Sequence, residues 1–589
     1  MNFATAQAAR RGISCQLASG IGFQRVRYRW SLLTACLLLV HFAIPPEHVV
    51  LCQEPTRIRL TDYTDRSGID FTHTDGSSGG RYLVEPVASG MASFDYDLDG
   101  RVDVYFVNGA PLKGSKTTDV PTNMLYRNLG GFQFDSVTGP SGLGDASFGL
   151  GVVCGDYDND GFDDVYLSNF GPNALYHNNG DGTFSSVENQ PALTRGDKTG
   201  GGVCMLDIDA DGNLDIYATN YIKFDYQIPP SNFRGRVVYG GPLLYPKETD
   251  NLIRNVGNGS FVDISDEAGI GGTPGWGMGT ICFDFDQDGD TDIFVANDSM
   301  RNFLWQNDGR GKFTDAAVLS GVAYDHRGDP QGSMGVDMAD VDGDLLPDLY
   351  QTAYTKQFAT LYKNVGGGLF EDATQRMGAG VGTFYPVNWG TGFCDFDNDG
   401  DKDLFIAHGH IHDNMDDLDD TVSYKIANQV LENRAGRKFV DVTKSAGSGL
   451  QIVESSRAIA IDDLDIDGRP DVVILNSRTR ANVLKNESET PGNWLFLQLV
   501  GTQCNRSAAG TRLIVRANSK AQMLEVHCGR GYQSHFGTRL HFGLGNAVAA
   551  DSIEVHWHGG AKESFENVKA NSLVLIRQGM PLLHMETSR

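Results

Sequence analysis

A seven-bladed β-propeller, followed by a small β-sandwich-like module, is the architecture that three features of this 589-residue chain predict. One acidic nine-residue phrase returns seven times, the same strand-like runs flank every copy, and the outer strand absent from the last unit reappears ahead of the first. The phrase is Asp-x-Asp-x-Asp-Gly-x-x-Asp. Its Asp positions are Asp95, Asp97, Asp99 and Asp103; Asp156, Asp158, Asp160 and Asp164; Asp207, Asp209, Asp211 and Asp215; Asp284, Asp286, Asp288 and Asp292; Asp340, Asp342, Asp344 and Asp348; Asp395, Asp397, Asp399 and Asp403; and Asp463, Asp465, Asp467 and Asp471.

These loops hold 28 of the chain's 75 acidic residues. Two carboxylates about 4 Å apart repel by roughly 1 to 4 kcal/mol between bulk-water and near-surface dielectrics, so four in one tight loop call for a cation. Hard oxygen ligands at this density predict calcium, up to seven ions, mainly structural. Positions 1, 3 and 5 of the curling loop point inward, position 7 offers a carbonyl, and position 9 is expected to close the shell. An EF-hand would need Glu at position 12, but Phe106, Leu167, Ala218, Val295, Gln351, Ile406 and Ile474 stand there. The fifth copy has Leu345 in place of the turn glycine. Left-handed backbone costs a non-glycine residue about 1 to 2 kcal/mol, which predicts the weakest site in that loop.

Each loop follows a glycine-rich run such as Phe148-Gly149-Leu150-Gly151-Val152-Val153 and precedes a β-branched run such as Val472-Val473-Ile474-Leu475. A second phrase, such as Asn302-Phe303-Leu304-Trp305-Gln306-Asn307-Asp308-Gly309, then marks a hairpin. Four antiparallel strands per unit, recurring every 51 to 77 residues, describe propeller blades. After Asn486 the seventh unit has no outer strand, whereas Leu60-Thr61-Asp62-Tyr63-Thr64 precedes the first; residues near 57 to 65 are expected to complete the last blade. Such a lock removes exposed strand edges.

The repeats resemble those of the FG-GAP/VCBS type, shared with integrin α-subunit propellers, over residues 53–490. From residue 491 to 589 the runs Asn505-Arg506-Ser507-Ala508-Ala509-Gly510, Gly531-Tyr532-Gln533-Ser534 and His541-Phe542-Gly543-Leu544-Gly545 are similar to the ASPIC/UnbV domain. That resemblance implies pairing with a propeller, as in proteins similar to cartilage acidic protein; it implies no biochemical role.

Residues 1–52 read as an export signal. Arg25, Arg27 and Arg29 precede an apolar run from Leu32 to Ile44 that is short for a bilayer, followed by Pro45-Pro46. An exported, extracellular, cell-surface or periplasmic protein without a transmembrane span is expected. Its removal would leave 43 Lys and Arg against 74 acidic residues, a formal charge of −31, or −17 with seven Ca²⁺. Nucleic acid is therefore an unsuitable partner. Cys154, Cys204, Cys282 and Cys394 lie just before loops in different blades, where a small apolar thiol packs an inner strand; Cys504 and Cys528 are candidates for one disulfide.

The two large insertions, residues 220–246 and 408–428, fall between second and third strands, opposite the calcium loops. They carry Tyr221, Arg234, Tyr239, His408, His410 and His412, and share that face with Trp276 and Trp389. Aromatic and charged side chains on long loops suit recognition of a protein or glycan. His408, His410 and His412 alternate so that all three could face a transition metal. No nucleophile elbow or zincin helix is present. The reading is a non-enzymatic binding or adhesion module; the alternative is a polysaccharide lyase or hydrolase using His408, His410 or Asp413 with Arg234.

Overall fold

The computed structural model describes residues 56–117, 120–489 and 492–585; the expected export signal, residues 1–52, lies outside them. Seven units of four antiparallel strands follow one another along the chain; the fourth and fifth join into one eight-stranded sheet where Asp292–Met300 pairs with Gln331–Ala339, and Ser534–His535 adds a parallel fifth strand to the first. Their innermost strands are Met91–Phe94, Phe148–Gly155, Gly200–Leu206, Gly277–Phe283, Gln331–Ala339, Asn388–Cys394 and Ser456–Asp462. Neighbouring inner strands pack in cyclic order, and the seventh meets the first. The first two strands of each sheet are joined by an acidic loop.

The expected lock is present. Leu60–Asp62 pairs antiparallel with Asn482–Asn486, Leu60 opposite Asn486, and completes the last sheet from the other end of the propeller sequence. Inner strands need glycine because the blades crowd the axis: a Cβ on Gly335 would lie 2.2 Å from Trp389 O in the next blade. Between blades the apolar residues of adjacent sheets interdigitate, Tyr166 and Val153 against Ile216 and Met205 for example. Cys154, Cys204, Cys282 and Cys394 are buried in these layers as free thiols.

A short hydrogen bond repeats around the ring. The asparagine of each third strand donates through Nδ2 to the carbonyl at position 2 of the preceding blade's acidic loop. The seven pairs are Asn128 to Leu464, Asn178 to Tyr96, Asn255 to Tyr157, Asn307 to Ile208, Asn364 to Phe285, Asn433 to Val341 and Asn486 to Phe396, at 2.7 to 3.0 Å. The first pair joins blade one to blade seven, so the staple is cyclic.

The C-terminal domain is two four-stranded sheets. One contains Asn493–Val500 between Leu540–Gly545 and Ser572–Arg577; the other contains Arg512–Ala517 between Lys520–Glu525 and Ala549–His556. Leu497, Leu513, Val555, Trp557 and Val574 fill the space between them. This domain rests on the acidic-loop side: Arg539 reaches Asp95 Oδ2 at 3.0 Å, Lys520 reaches Asp401 at 3.0 Å, and Ser507 Oγ accepts from Asp156 N.

From there residues 526–539 enter the axial channel as a finger and touch every blade. His527 Nδ1 lies 2.9 Å from Cys282 O, Met205 N donates to Cys528 O, and Gly531 exchanges both backbone bonds with Val336. Tyr532 packs edge-on against Trp389 with ring centres 5.0 Å apart, and Val152 N donates to Gln533 O. Ser534 and His535 pair in parallel with Met91 and Ala92, and Gly537 N donates to Asp462 Oδ2. Arg530 forms an ion pair 2.5 Å from Asp337, in addition to that of Arg539 with Asp95. Cys528 therefore lies in the channel and Cys504 lies beside Gln578; both are free thiols, so the candidate disulfide is not formed in this structure.

Candidate functional site

Each acidic loop is first a backbone clamp. The position-1 carboxylate accepts the N–H of position 6, as Asp156 accepts from Gly161 at 2.7 Å and Asp463 from Gly468 at 2.7 Å. The position-9 carboxylate is buried and takes two backbone donors in every blade. Asp292, for example, accepts from Phe285 N at 3.2 Å and from Asn307 N at 2.8 Å. Burial raises these acids: Asp156, Asp340, Asp395 and Asp463 to about 7, Asp95 and Asp284 to about 6, with neighbouring carboxylates adding to the effect.

Positions 3 and 5 aim the remaining oxygens into a cradle. Ligand atoms of Asp95, Asp97 and Asp99, of Asp156, Asp158 and Asp160, of Asp207, Asp209 and Asp215, and of Asp284, Asp286 and Asp292 each lie within 4.8 Å of one another. Buried oxygens of Asp95, Asp209 and Asp465 have no hydrogen-bond partner. Close, dry, incompletely satisfied carboxylates fit a hard cation.

What the loop sequence does not show is the fifth wall of the cradle, supplied by the third-strand residue just before the staple asparagine. In blade one it is Arg127, 2.7 Å from Asp97 and 3.0 Å from Asp99. In blade two His177 lies 3.3 Å from Asp158, and in blade three Arg254 pairs with Asp209. Blade four has Gln306, which donates to Asp286 at 2.7 Å. In blade five Lys363 lies 2.9 Å from Asp342 and 2.7 Å from Asp344; in blade seven Lys485 pairs with Asp465. Blade six places Glu432 there, whose charge, next to burial, raises Asp397 against the pull of Arg57. The cradles thus differ in a formal charge that the seven Asp quartets share.

The strain argument for the fifth loop is corrected by its backbone. Leu345 does sit at φ 66°, but Gly343 two residues earlier takes φ 79°. In the other loops that earlier place is left-handed too and is occupied by Leu98, Asn159, Ala210, Gln287, Asn398 and Ile466. The fifth loop relocates one strained non-glycine residue and adds none. Its distinguishing feature is the ammonium of Lys363.

On the opposite side the two insertions meet and roof the propeller. Arg234 donates to Leu418 O, Asn414 donates to Val237 O at 3.1 Å, and Val238 packs with Met415, Leu418 and Val422. Most of the side chains expected to crown an open surface are inside this roof. Trp389 and His410 are each 1% exposed, and Tyr221, Tyr239, Trp276 and His408 are buried. Tyr239 donates to Glu85 Oε2 at 2.9 Å, Trp276 lies under the Lys247 ammonium, and Trp389 lies under the Arg457 guanidinium 4.2 Å from its ring centre.

His410 and His412 rings are 5.0 Å apart, whereas His408 turns its Nδ1 to Ala427 O at 3.1 Å. Burial holds His408 and His412 at about 4 and His410 at about 3, so all three are neutral. Asp413 is held by Arg81 and Arg478, which lower it. The residues of the enzymatic alternative are therefore each engaged by different partners. Exposed apolar residues gather on the blade-three insertion, Phe233, Val237, Leu243 and Leu244, with Leu243 73% exposed; Val120, between the second and third strands of blade one, is exposed on the same side.

The FG-GAP-like repeat matches residues 95–167, 156–218 and 284–351, and ASPIC and UnbV matches residues 501–581. The chain is 24% identical over 413 residues to cartilage acidic protein 1 of Mus musculus, covering 62% of this chain and 56% of that one. With the Xenopus tropicalis protein of the same name it shares 26% over 441 residues, 70% of this chain and 61% of that one. The chain thus spans little more than half the length of these relatives. Among solved structures, an Agrocybe aegerita lectin recognising non-reducing terminal N-acetylglucosamine is similar at 16% identity and TM-score 0.36, over 69% of this chain and 92% of that one. YCF48 bound to D1 peptide is similar at 9% identity and TM-score 0.37, over 72% and 96%. Scores this low carry no functional inference. No described helix is long and apolar enough to cross a membrane. Repeats, C-terminal domain and relatives converge: the chain carries FG-GAP-like repeats and an ASPIC and UnbV domain, and is similar to cartilage acidic protein 1.

Proposed function

We propose that this protein is an exported, calcium-binding, non-enzymatic recognition module that holds a protein or glycan on its insertion-bearing face. The observation that carries the reading is the asymmetry of the two faces. The C-terminal domain covers the acidic-loop side, and the other side presents Phe233, Val237, Leu243 and Leu244 to solvent on one insertion. Exposed apolar residues gathered on one long loop favour a binding surface.

Calcium would be held by the Asp quartets and would neutralise carboxylates that otherwise repel. The fifth wall grades the sites: Glu432 favours the sixth and Gln306 the fourth, while Arg127, Arg254, Lys363 and Lys485 carry the opposing charge inside their own cradles.

The test is capture of partners from the native extracellular or periplasmic milieu by the full chain and by a Leu243→Asp/Leu244→Asp variant, with and without chelator. Loss of capture by a variant that keeps its melting temperature is expected. Undiminished capture would refute the assignment of the face.

A further inference from the structure

Beneath the roof lies a cavity of about 180 Å³. Its walls are Leu83, Met278, Met334, Ile411 and the rings of Tyr221, Tyr354 and Trp389; Tyr532 at the tip of the finger packs into the same cluster. Among the lining residues one carries a formal charge, Asp298, since His412 is neutral. Its Oδ2 accepts from Tyr221 Oη at 2.7 Å and its Oδ1 from Ser299 Oγ at 2.9 Å. Both donors are neutral, and no Lys or Arg of the described residues forms an ion pair with it.

A carboxylate recessed in an apolar cavity without a counter-charge is costly, and burial raises Asp298 accordingly. Four lone-pair sites, two of them used, leave it able to accept more. The backbone aims it there: Ser299 takes φ 57° in a register shift between Asp298 and Met300, where the second strand of blade four pairs with the first strand of blade five. Bulges of this kind re-aim side chains, and a left-handed serine is strain of the sort concentrated at ligand sites.

We propose that this cavity binds an alkylammonium group, with Asp298 as its counter-ion and the rings of Tyr221, Tyr354 and Trp389 as its walls. The inference rests on the insertion-bearing face being the recognition side and adds the chemistry it recognises. Ammonium groups are held by aromatic rings and a carboxylate in combination, and the thioethers of Met278 and Met334 accommodate the methylene or methyl surface around the charge.

The experiment is calorimetric titration of the calcium-saturated full chain with choline, standing for a free small-molecule ammonium, and with Nα-acetyl-lysinamide, standing for a lysine side chain of a protein. 3,3-Dimethylbutan-1-ol and Nα-acetyl-norleucinamide are the uncharged counterparts. At least one cation is expected to bind about 10-fold or more tightly than its uncharged counterpart, and the better of the two names the source. Asp298→Asn, which keeps an acceptor for Tyr221, should remove that preference, and Tyr354→Leu should weaken the cation more than the neutral compound. Each variant is checked for an unchanged melting temperature; if Asp298→Asn does not fold, the wild-type comparison of charged and uncharged pairs decides. Equal binding of both members of a pair, or no binding of either cation at millimolar concentration, overturns the inference. Partner capture by the Leu243/Leu244 face is read separately, so failure here with capture intact removes only the ammonium site.

Discussion

Asn128 Nδ2 lies 2.7 Å from Leu464 O, and that one bond ties the first blade to the acidic loop of the seventh, 336 residues away. The same amide also donates to Val102 O within its own blade, while Asn128 N donates to Asp103. The acidic loop and the blade-to-blade contact are thereby one structure: the position-9 aspartate orders the asparagine backbone, and the asparagine side chain orders the loop of the preceding blade.

Removing a staple should therefore cost more than its surface area suggests. Asn307→Ala leaves the buried carbonyls of Ile208 and Thr291 without this donor. The expected loss is about 1 to 3 kcal/mol in denaturant unfolding, since a stranded buried polar group carries its full desolvation penalty. Arg310→Ala, exposed in the same turn, should stay within about 0.5 kcal/mol.

Calcium content should follow the fifth wall and not the loop sequence. Equilibrium dialysis with elemental analysis is expected to show fewer than seven tightly held ions. Lys363→Gln should raise the count or tighten the fifth site, and Glu432→Lys should weaken the sixth by about 10-fold or more, the effect of a charge reversal worth some 1.4 kcal/mol near the surface. Seven equivalent sites, untouched by either change, would contradict this.

The finger predicts a coupling between domains. Arg530→Met leaves Asp337, which is fully buried, with a charge and no ion-pair partner. A destabilisation of about 3 to 5 kcal/mol is expected for one-sided removal of a buried pair. Asp337→Asn in the same chain should restore much of it, because Asn still offers an acceptor to Phe393 N. Additive effects in the double-mutant cycle would show that the two do not interact.

Acid should loosen the same element. His527 and His535 are buried in the finger and held at about 3, by burial first and then by Arg530. The unfolded chain protonates them near 6.5, so between about 6.5 and 3 the unfolded state binds more protons and stability falls as pH falls. At pH 5.5 each imidazole should contribute a loss of about 1.4 kcal/mol. The stability difference between wild type and His527→Gln/His535→Gln, followed from pH 7 to 5, isolates these two groups from the many carboxylates; a pH-independent difference would rule them out.

The seven blades were legible because their signals are local. A nine-residue phrase, an alternating run and an Asn/Gly turn all lie within one unit, and the missing outer strand after Asn486 showed where Leu60–Asp62 had to pair. The glycine-rich runs ahead of the loops were legible for the same reason. The staple asparagines were visible as a repeated residue, but read only as turn formers, since nothing local reveals that Asn178 reaches Tyr96 in the preceding blade.

By itself, then, the chain determined strand order, blade composition and the acidic quartets, each dictated by backbone geometry and side-chain periodicity over a few residues. Only the tertiary structure decided which cradle contains a cation of its own, since Arg127, Arg254, Lys363 and Lys485 approach their loops from a different strand. It likewise decided that two insertions 162 residues apart meet at Arg234 and Leu418 to bury Trp389 and His410, and that residues 526–539 pass through the axis. Those outcomes depend on which surfaces the closed ring brings face to face, and closure is set by packing between residues far apart in sequence.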